Sequence, residues 1–280
     1  MTSIHVVTDS SCDLPDNVVN DLAITIVPLS IRFGDEEFVD REELSTEEFW
    51  IKCQASETLP ETAAPSPGAF EAAYRAAADN GASGVVAILL SGDLSATIES
   101  ARAGARAVED VIPVSVIDSK TVTLGLGTLV VMAAEQAREG SDLAAITELV
   151  SAAAARTQVH AALDTLENLK KGGRIGAAGS LLGSLLSIKP LIEVRDGVVE
   201  PAGKQRTRGK ALSHLVGIVL ENADRIDRLA VLHAACDDVD VLVDQLAPLV
   251  ESEILVSQVG PVVGTHAGLG TIGVVFQVTD

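Results

Sequence analysis

Short apolar runs, each bounded by small polar residues and followed by a stretch with helical spacing, recur along the first half of the chain. Residues 4–7, 24–29, 84–90 and 114–117 are rich in Val, Ile and Leu, which predicts buried strands. After the third run, Ile98, Ala101, Ala105 and Val108 recur at helical intervals. Residues 30–40 alternate around Gly34-Asp35, a hairpin pattern. Asp13 followed by Pro15 marks a helix start. Ser45-Thr46-Glu47-Glu48 is a capping box that opens a short helix through Trp50. Residues 59–68 hold three prolines and read as a stiff loop, with Ser66-Pro67 capping a helix to about Asp79. Helices are expected over 122–138, stopped by Gly140, and over 142–156.

Three of the strands end in polar turns: Thr8-Asp9-Ser10-Ser11, Ser91 to Thr97, and Asp118-Ser119. Strand, polar turn and helix in alternation predict a parallel α/β sheet, whose ligands bind at the carboxyl ends of the strands. Ser95 is a candidate N-cap for the helix after the third run. The free N–H groups and positive dipole end of such a helix can hold an anion. A plain capped turn explains the same letters, and both readings stand at this point.

The second half is patterned differently. Residues 159–163 are strand-like, Asp164-Thr165-Leu166-Glu167 opens a short helix, and Lys171-Gly172-Gly173 ends it. Residues 177–188 are small or apolar. Residues 191–194 and 198–199 flank Arg195-Asp196-Gly197 as a hairpin. Helices over 211–222 and 239–250 enclose a strand at 229–233, and strands are expected over 256–263 and 273–278. The expected division is an α/β domain over 1–157 and an α+β domain over 158–280.

Composition narrows the function. Nearly half of the 280 residues are apolar, enough to bury about three quarters of the surface on folding. Aromatics are scarce, so the core must be aliphatic. A formal charge of −20 argues against nucleic-acid binding and against adsorption on anionic membranes. Residues 170–210 run the other way, with nine basic against three acidic side chains, and such a patch calls for a ligand or partner. Cys12, Cys53 and Cys236 fit neither a disulfide framework nor a zinc site, which favours a reducing, cytoplasmic setting. The chain opens on a strand without signal-peptide layout, and no run reaches the roughly 18 apolar residues of a membrane span.

Several motifs invite stronger chemistry. Gly268-Leu269-Gly270-Thr271-Ile272-Gly273 matches the dinucleotide pattern by letters, but no helix follows it. Neither Ser91 nor Ser95 lies in a Gly-x-Ser-x-Gly elbow, which argues against a hydrolase triad. Asp237, Asp238 and Asp240 read as a metal cluster or as a helix N-terminus. His5, His160, His214 and His233 sit in strands or helices, where core or surface roles are the default. His266, in the Gly-rich Gly264-Thr265-His266-Ala267-Gly268, suits a side chain aimed at a ligand. Lys120 is the only base among the three sheet-edge turns, which favours a single carboxylate over a polyphosphate.

Val7-Thr8-Asp9-Ser10, residues 62–70, 91–101, Asp118-Ser119, 166–175, 183–190 and 264–270 occur in the order found in the bacterial DegV family. The chain resembles that family over its whole length, most specifically in Leu169-Lys170-Lys171-Gly172-Gly173-Arg174-Ile175 and the Gly-Thr-His stretch. The resemblance implies a two-domain fold, an α/β/α parallel-sheet unit followed by an α+β unit with a mixed sheet. It implies a carrier of one long-chain fatty acid that is not itself an enzyme and needs no cofactor or metal. Some members are subunits of bacterial fatty acid kinase. There a separate subunit similar to dihydroxyacetone kinases phosphorylates the bound carboxylate, and the acyl phosphate passes to phospholipid synthesis. Carried over, the resemblance puts Thr62, Ser95 and His266 around the carboxylate, with Ser91, Thr97 and Thr265 as neighbours. The acyl chain runs toward the second domain, and Arg174 faces the kinase subunit. The usual Thr-Ser-Gln-Pro-Ser stands here as Thr62-Ala63-Ala64-Pro65-Ser66, and Ser-Gly-Thr as Ser95-Ala96-Thr97, which strips polar groups from near the head group. The alternative is a stand-alone hydrolase or small-molecule kinase using Ser95 and His266, without an elbow or a Walker-type loop to support it.

Overall fold

The computed structural model describes residues 3–56, 58–182 and 188–279. In the first half the elements are β1 (Ile4–Asp9), α1 (Asp16–Asp21), β2 (Thr25–Val27), β3 (Ser30–Phe33), β4 (Glu36–Val39), α2 (Thr46–Ala55), β5 (Glu61–Ala63), α3 (Pro67–Asp79), β6 (Gly84–Leu89), α4 (Thr97–Arg106), β7 (Val114–Asp118), α5 (Leu124–Arg138) and α6 (Leu143–Ala154). β2, β1, β6 and β7 form a parallel sheet in that order. β6 is buried at every position because helices cover both faces. Its alternate residues divide accordingly: Val85, Ala87 and Leu89 pack with Phe70 and Tyr74 of α3 and Ile98 of α4, while Val86 and Ile88 pack with Leu126 and Leu129 of α5 and Ile146 of α6.

The second half contributes β8 (Thr157–Ala162), α7 (Glu167–Lys171), β9 (Lys189–Arg195), β10 (Val198–Gln205), α8 (Arg208–Asn222), β11 (Ile226–His233), α9 (Val239–Leu246), β12 (Leu255–Gln258), α10 (Pro261–Ala267) and β13 (Ile272–Val278). Its sheet has the order β10-β9-β8-β13-β11-β12, antiparallel except between β11 and β12. α8 and α9 close one face over Leu229, Val231, Val274 and Phe276. The other face meets α5: Val159, Ala230, Leu232 and Val275 share a core with Leu126, Leu129 and Val130. Five layers result, with α5 central between two sheets. We propose a division of the chain at 157, with one core running across it.

The capping box at Ser45 and Glu48 forms as expected, as does the Ser66 cap of α3. Asp196 and Gly197, both at positive φ, make the β9–β10 turn. Three local expectations change. The proline-rich loop contains β5, which pairs with β3 through Ile31↔Thr62; flanked by Pro60 and Pro65, it is a short edge strand. Residues 261–263 leave the sheet as the first turn of α10, because Pro261 occupies the first helical position, where its fixed φ and missing N–H suit a helix start. His266 accordingly lies on a helix ended by Gly268 at φ +81, and not in a loop. Ser95 stands one residue before the cap of α4, which is Ala96, and its hydroxyl accepts from Thr97 N at 3.3 Å. The stretch read at 177–188 lies outside the described residues at 183–187.

α5 fits between the sheets because its glycines leave room. A Cβ at Gly125 would overlap Thr121 Oγ1 and stand 2.7 Å from Val159 Cγ2, and one at Gly127 would stand 2.6 Å from Cys12 O. Gly125→Ala or Gly127→Ala is therefore expected to lose about 1–3 kcal/mol of stability through overpacking. Urea unfolding measures this, and a wild-type midpoint in both variants would contradict the close approach.

Candidate functional site

The sheet-edge turns singled out in the sequence mostly bind one another. Asp9 accepts hydrogen bonds from Ser11 N (3.0 Å), Ser11 Oγ (2.5 Å) and Leu90 N (2.8 Å). Ser10 Oγ accepts from Leu29 N at 3.1 Å. Ser91 Oγ donates to Gly197 O at 2.8 Å, which docks the β9–β10 turn on the edge of the parallel sheet. Lys120 Nζ is held by Asp93 (2.8 Å) and Asp118 (3.1 Å).

The space for a ligand lies beside this edge, between the two sheets. An apolar cavity lies there, with about 820 Å³ of empty space that includes open solvent at its mouth. Period-2 strand geometry builds one wall: Val159 pairs with Val194 and Ala161 with Ile192, so all four project to the same face and line the cavity. Leu29, Leu90 and Val122 come from the first half, Leu232 from β11, and Val262 and Val263 from α10.

Three of the polar groups in its lining mark one end. Thr62, carried there by β5, and His266, carried by α10, meet with 3.1 Å between Thr62 Oγ1 and His266 Nε2. Ser95 and Arg174 line the same cavity. Arg174 is pinned in the turn after α7, its Nε donating to Leu94 O (3.1 Å) and its Nη1 to Gly172 O (2.6 Å). A second, polar cleft lies outside, lined by Pro60, Glu61, Asn168 and Lys171 and sharing Thr62, Arg174 and His266 with the cavity. Those three side chains therefore stand where an apolar interior meets water. Burial pushes the His266 pKa down to about 4, and the Arg174 charge adds to the effect, so the imidazole is neutral at pH 7. What this end offers is a set of neutral polar groups next to a guanidinium, over a hydrocarbon-lined interior.

The DegV family model (Uncharacterised protein, DegV family) matches residues 3–279. This chain belongs to the DegV family. A DegV domain-containing protein of Streptomyces coelicolor is 37% identical, over 97% of each chain. Among solved structures, a DegV family protein of Thermus thermophilus described for its fatty acid binding superposes with a TM-score of 0.91 at 33% identity, over 99% of this chain and 100% of that one. DegV of Bacillus subtilis, described as a fatty acid binding protein, gives 0.89 at 30% identity over the whole of both chains.

Of the residues carried over from the DegV family, the fold brings Thr62, Ser95, His266 and Arg174 to one cavity. The other three hydroxyls have partners within the protein. Ser91 holds the β9–β10 turn, Thr97 Oγ1 is 2.9 Å from Ser95 Oγ, and Thr265 Oγ1 donates to Pro261 O one turn back, at the edge of the outer cleft. Asp238 is engaged by the Arg208 guanidinium through two bonds of 2.9 Å, and among the described residues no group of three His, Cys, Asp or Glu is arranged to hold a metal. Gly268 ends a helix and leads into β13, the reverse of a dinucleotide turn. The proximity of Arg174 to His266 was not visible in the sequence, since it depends on α7 packing against α10.

In the ligand-free protein His266 is expected to titrate well below the ordinary 6.5, near pH 4, because protonation would place a charge in a desolvated site beside Arg174. Imidazole chemical shifts followed between pH 3.5 and 8 check this. A midpoint at 6.5 would mean a solvated ring and would remove the neutral-group description.

Proposed function

We propose that this chain binds one long-chain fatty acid non-covalently, its carboxylate at Thr62, Ser95 and His266 and its acyl chain in the cavity between the sheets. The observation that carries the reading is the junction: an apolar cavity opens to a polar cleft at Thr62, Arg174 and His266. An amphiphile with one charged end matches that change of environment. Fatty acid binding by the DegV proteins of Thermus thermophilus and Bacillus subtilis supports it. Burying a C16-type chain is worth about 0.8 kcal/mol per CH₂, on the order of 10 kcal/mol before the costs of association. The tail thus supplies the affinity, and the head-group contacts fix orientation.

The finer part of the proposal is that the bound carboxylate is presented to a separate kinase subunit, similar to dihydroxyacetone kinases, and leaves as an acyl phosphate for phospholipid synthesis. The outer cleft supports this, because Lys171 and Arg174 lie beside the place where a phosphoryl donor would approach the carboxylate. Arg174 then faces the partner. A stand-alone enzyme using Ser95 and His266 is disfavoured by their pairing: the serine hydroxyl is engaged with Thr97 and the imidazole with Thr62, so nucleophile and base have different partners. Among the described residues no helix is long and apolar enough to cross a membrane.

Mass spectrometry of the protein under native and then denaturing conditions tests the reading. The expected result is one fatty acid released on denaturation; a protein that is empty and takes up no added palmitate would overturn it. His266→Ala and Ser95→Ala are each expected to weaken palmitate binding about 5- to 30-fold, the loss of one or two kcal/mol of head-group hydrogen bonding. Arg174→Ala should lower turnover by the kinase subunit more than it lowers palmitate affinity, and equal losses would make Arg174 a head-group ligand instead of a docking residue.

A further inference from the structure

Two adjacent glycines follow α7, and they answer different demands. Gly173 has φ +72, and a Cβ there would meet nothing within 4 Å, so backbone conformation accounts for it. Gly172 has φ −75 and ψ −6, right-handed helical values open to any residue. Conformation gives no reason for glycine at 172, whereas space does. A Cβ at 172 would overlap His266 Nδ1 and stand 2.8 Å from its Cε1, with Asn168 O 3.2 Å away on another side. Neither helix is free to withdraw. Asn168 Nδ2 donates to Thr265 O at 3.2 Å and ties α7 to α10 beside the contact, while Gly172 N donates to Asn168 O at 2.9 Å and holds Gly172 on the end of α7. From behind, Gly264 of α10 lies against Phe49 and Trp50, where an added Cβ would stand 2.8 Å from each ring.

The geometry points to Gly172 as a positioning residue: its missing side chain admits the Nδ1 edge of His266 and thereby sets the ring that faces Thr62. The inference rests on reading Thr62 and His266 as the head-group site. It also assigns the proton. His266 Nδ1 is buried and has no hydrogen-bond partner, while Nε2 lies 3.1 Å from Thr62 Oγ1. A buried N–H without an acceptor is rarer and costlier than an unfilled lone pair. The neutral ring therefore carries its proton on Nε2 and donates it to Thr62 Oγ1. The hydroxyl hydrogen of Thr62 remains available to a carboxylate. Pressing one edge of the imidazole against α7 in this way selects the tautomer that leaves Thr62 as a donor to the ligand.

Ring-nitrogen NMR of ¹⁵N-labelled protein, together with palmitate titration, tests this in Gly172→Ala, Gly173→Ala, His266→Ala and the Gly172→Ala/His266→Ala double variant. In the wild type the His266 nitrogens should show the Nε2–H pattern. Gly172→Ala should move those shifts and weaken palmitate binding about tenfold, the equivalent of one lost hydrogen bond. Gly173→Ala should leave both unchanged while lowering stability. In the His266→Ala background, where the room exists, Gly172→Ala should change palmitate affinity less than twofold. Unmoved ring shifts in Gly172→Ala, or equal affinity losses in both backgrounds, would overturn the assignment. Should Gly172→Ala not fold, the double variant should still unfold at the same urea concentration as His266→Ala, and its failure to do so would count against the contact. A wild-type protein that binds no palmitate would remove the proposed function, yet the ring-nitrogen comparison would still decide whether Gly172 positions His266.

Discussion

One helix shared by two sheets is the constraint from which the rest of the molecule follows. α5 touches the parallel sheet through Leu126 and Leu129 and lies in the same core as Val159, Leu232 and Val275 of the larger sheet. A helix in that place needs apolar residues on every side, and α5 has them. It also needs glycine where backbone or side chains of both layers come close, which Gly125 and Gly127 provide. The ligand cavity lies at the start of this helix, where Val122 and Thr123 form part of its lining. A buried carboxyl ties the same region together. Asp13 accepts from Thr123 Oγ1 at 2.6 Å and from Gly260 N at 3.0 Å, and Ser257 Oγ donates to Asp13 O at 2.5 Å. Burial raises the Asp13 pKa to about 7, yet its two partners anchor the segment that leads into α10.

A protein of net charge −20 is an unpromising host for an anion, so the proposed carboxylate site has to meet this locally. Surface charges more than a Debye length away, about 8–10 Å, are largely screened, so the groups within that distance decide. There the neutral side chains of Thr62, Ser95 and His266 line the same cavity as the guanidinium of Arg174. Three of the nine basic side chains noted in residues 170–210 are paired where they fold: Lys189 with Asp164 at 2.7 Å, Arg195 with Glu193, and Arg208 with Asp238. The outer cleft carries Lys171 and Arg174 in its wall, with Glu61, which is paired with Arg32, on the same cleft.

What was legible in the sequence was local. The continuous apolar run of β6, the Ser45–Glu48 box, the Ser66-Pro67 start of α3 and the Asp196-Gly197 turn each carry their signal within a few residues. What was missed depends on distant partners. β5 is a strand only because β3 offers it an edge, and that pairing delivers Thr62. α10 looked like the end of a strand followed by a loop, since Val259, Val262 and Val263 are β-branched; Gly260-Pro261 held the corrective signal. The meeting of Thr62 with His266, over two hundred residues apart, was reached through family resemblance, and composition and spacing alone would not have found it. The same holds for Gly172, whose reason lies wholly in a side chain from another helix.

The few aromatic residues show how rigidity is distributed. None lines the cavity, whose walls are Val, Leu, Ile and Ala. Four of the seven are instead collected near α10: Phe33, Phe38, Phe49 and Trp50, with Phe49 and Trp50 ring centroids 4.9 Å apart and Trp50 Nε1 donating to Val259 O at 3.1 Å. Gly264 lets α10 settle directly on two of these rings. Aromatic packing adds interaction energy beyond its buried area and fixes ring geometry, so it suits a support whose position must not vary. Aliphatic walls carry no directional demand, and they can receive a hydrocarbon chain without specifying each of its torsions. On the proposed reading, orientation would fall to the few groups at the polar end, with α10 braced from behind by aromatic rings and from the side by α7. On that reading, the cavity would contribute affinity through buried apolar area.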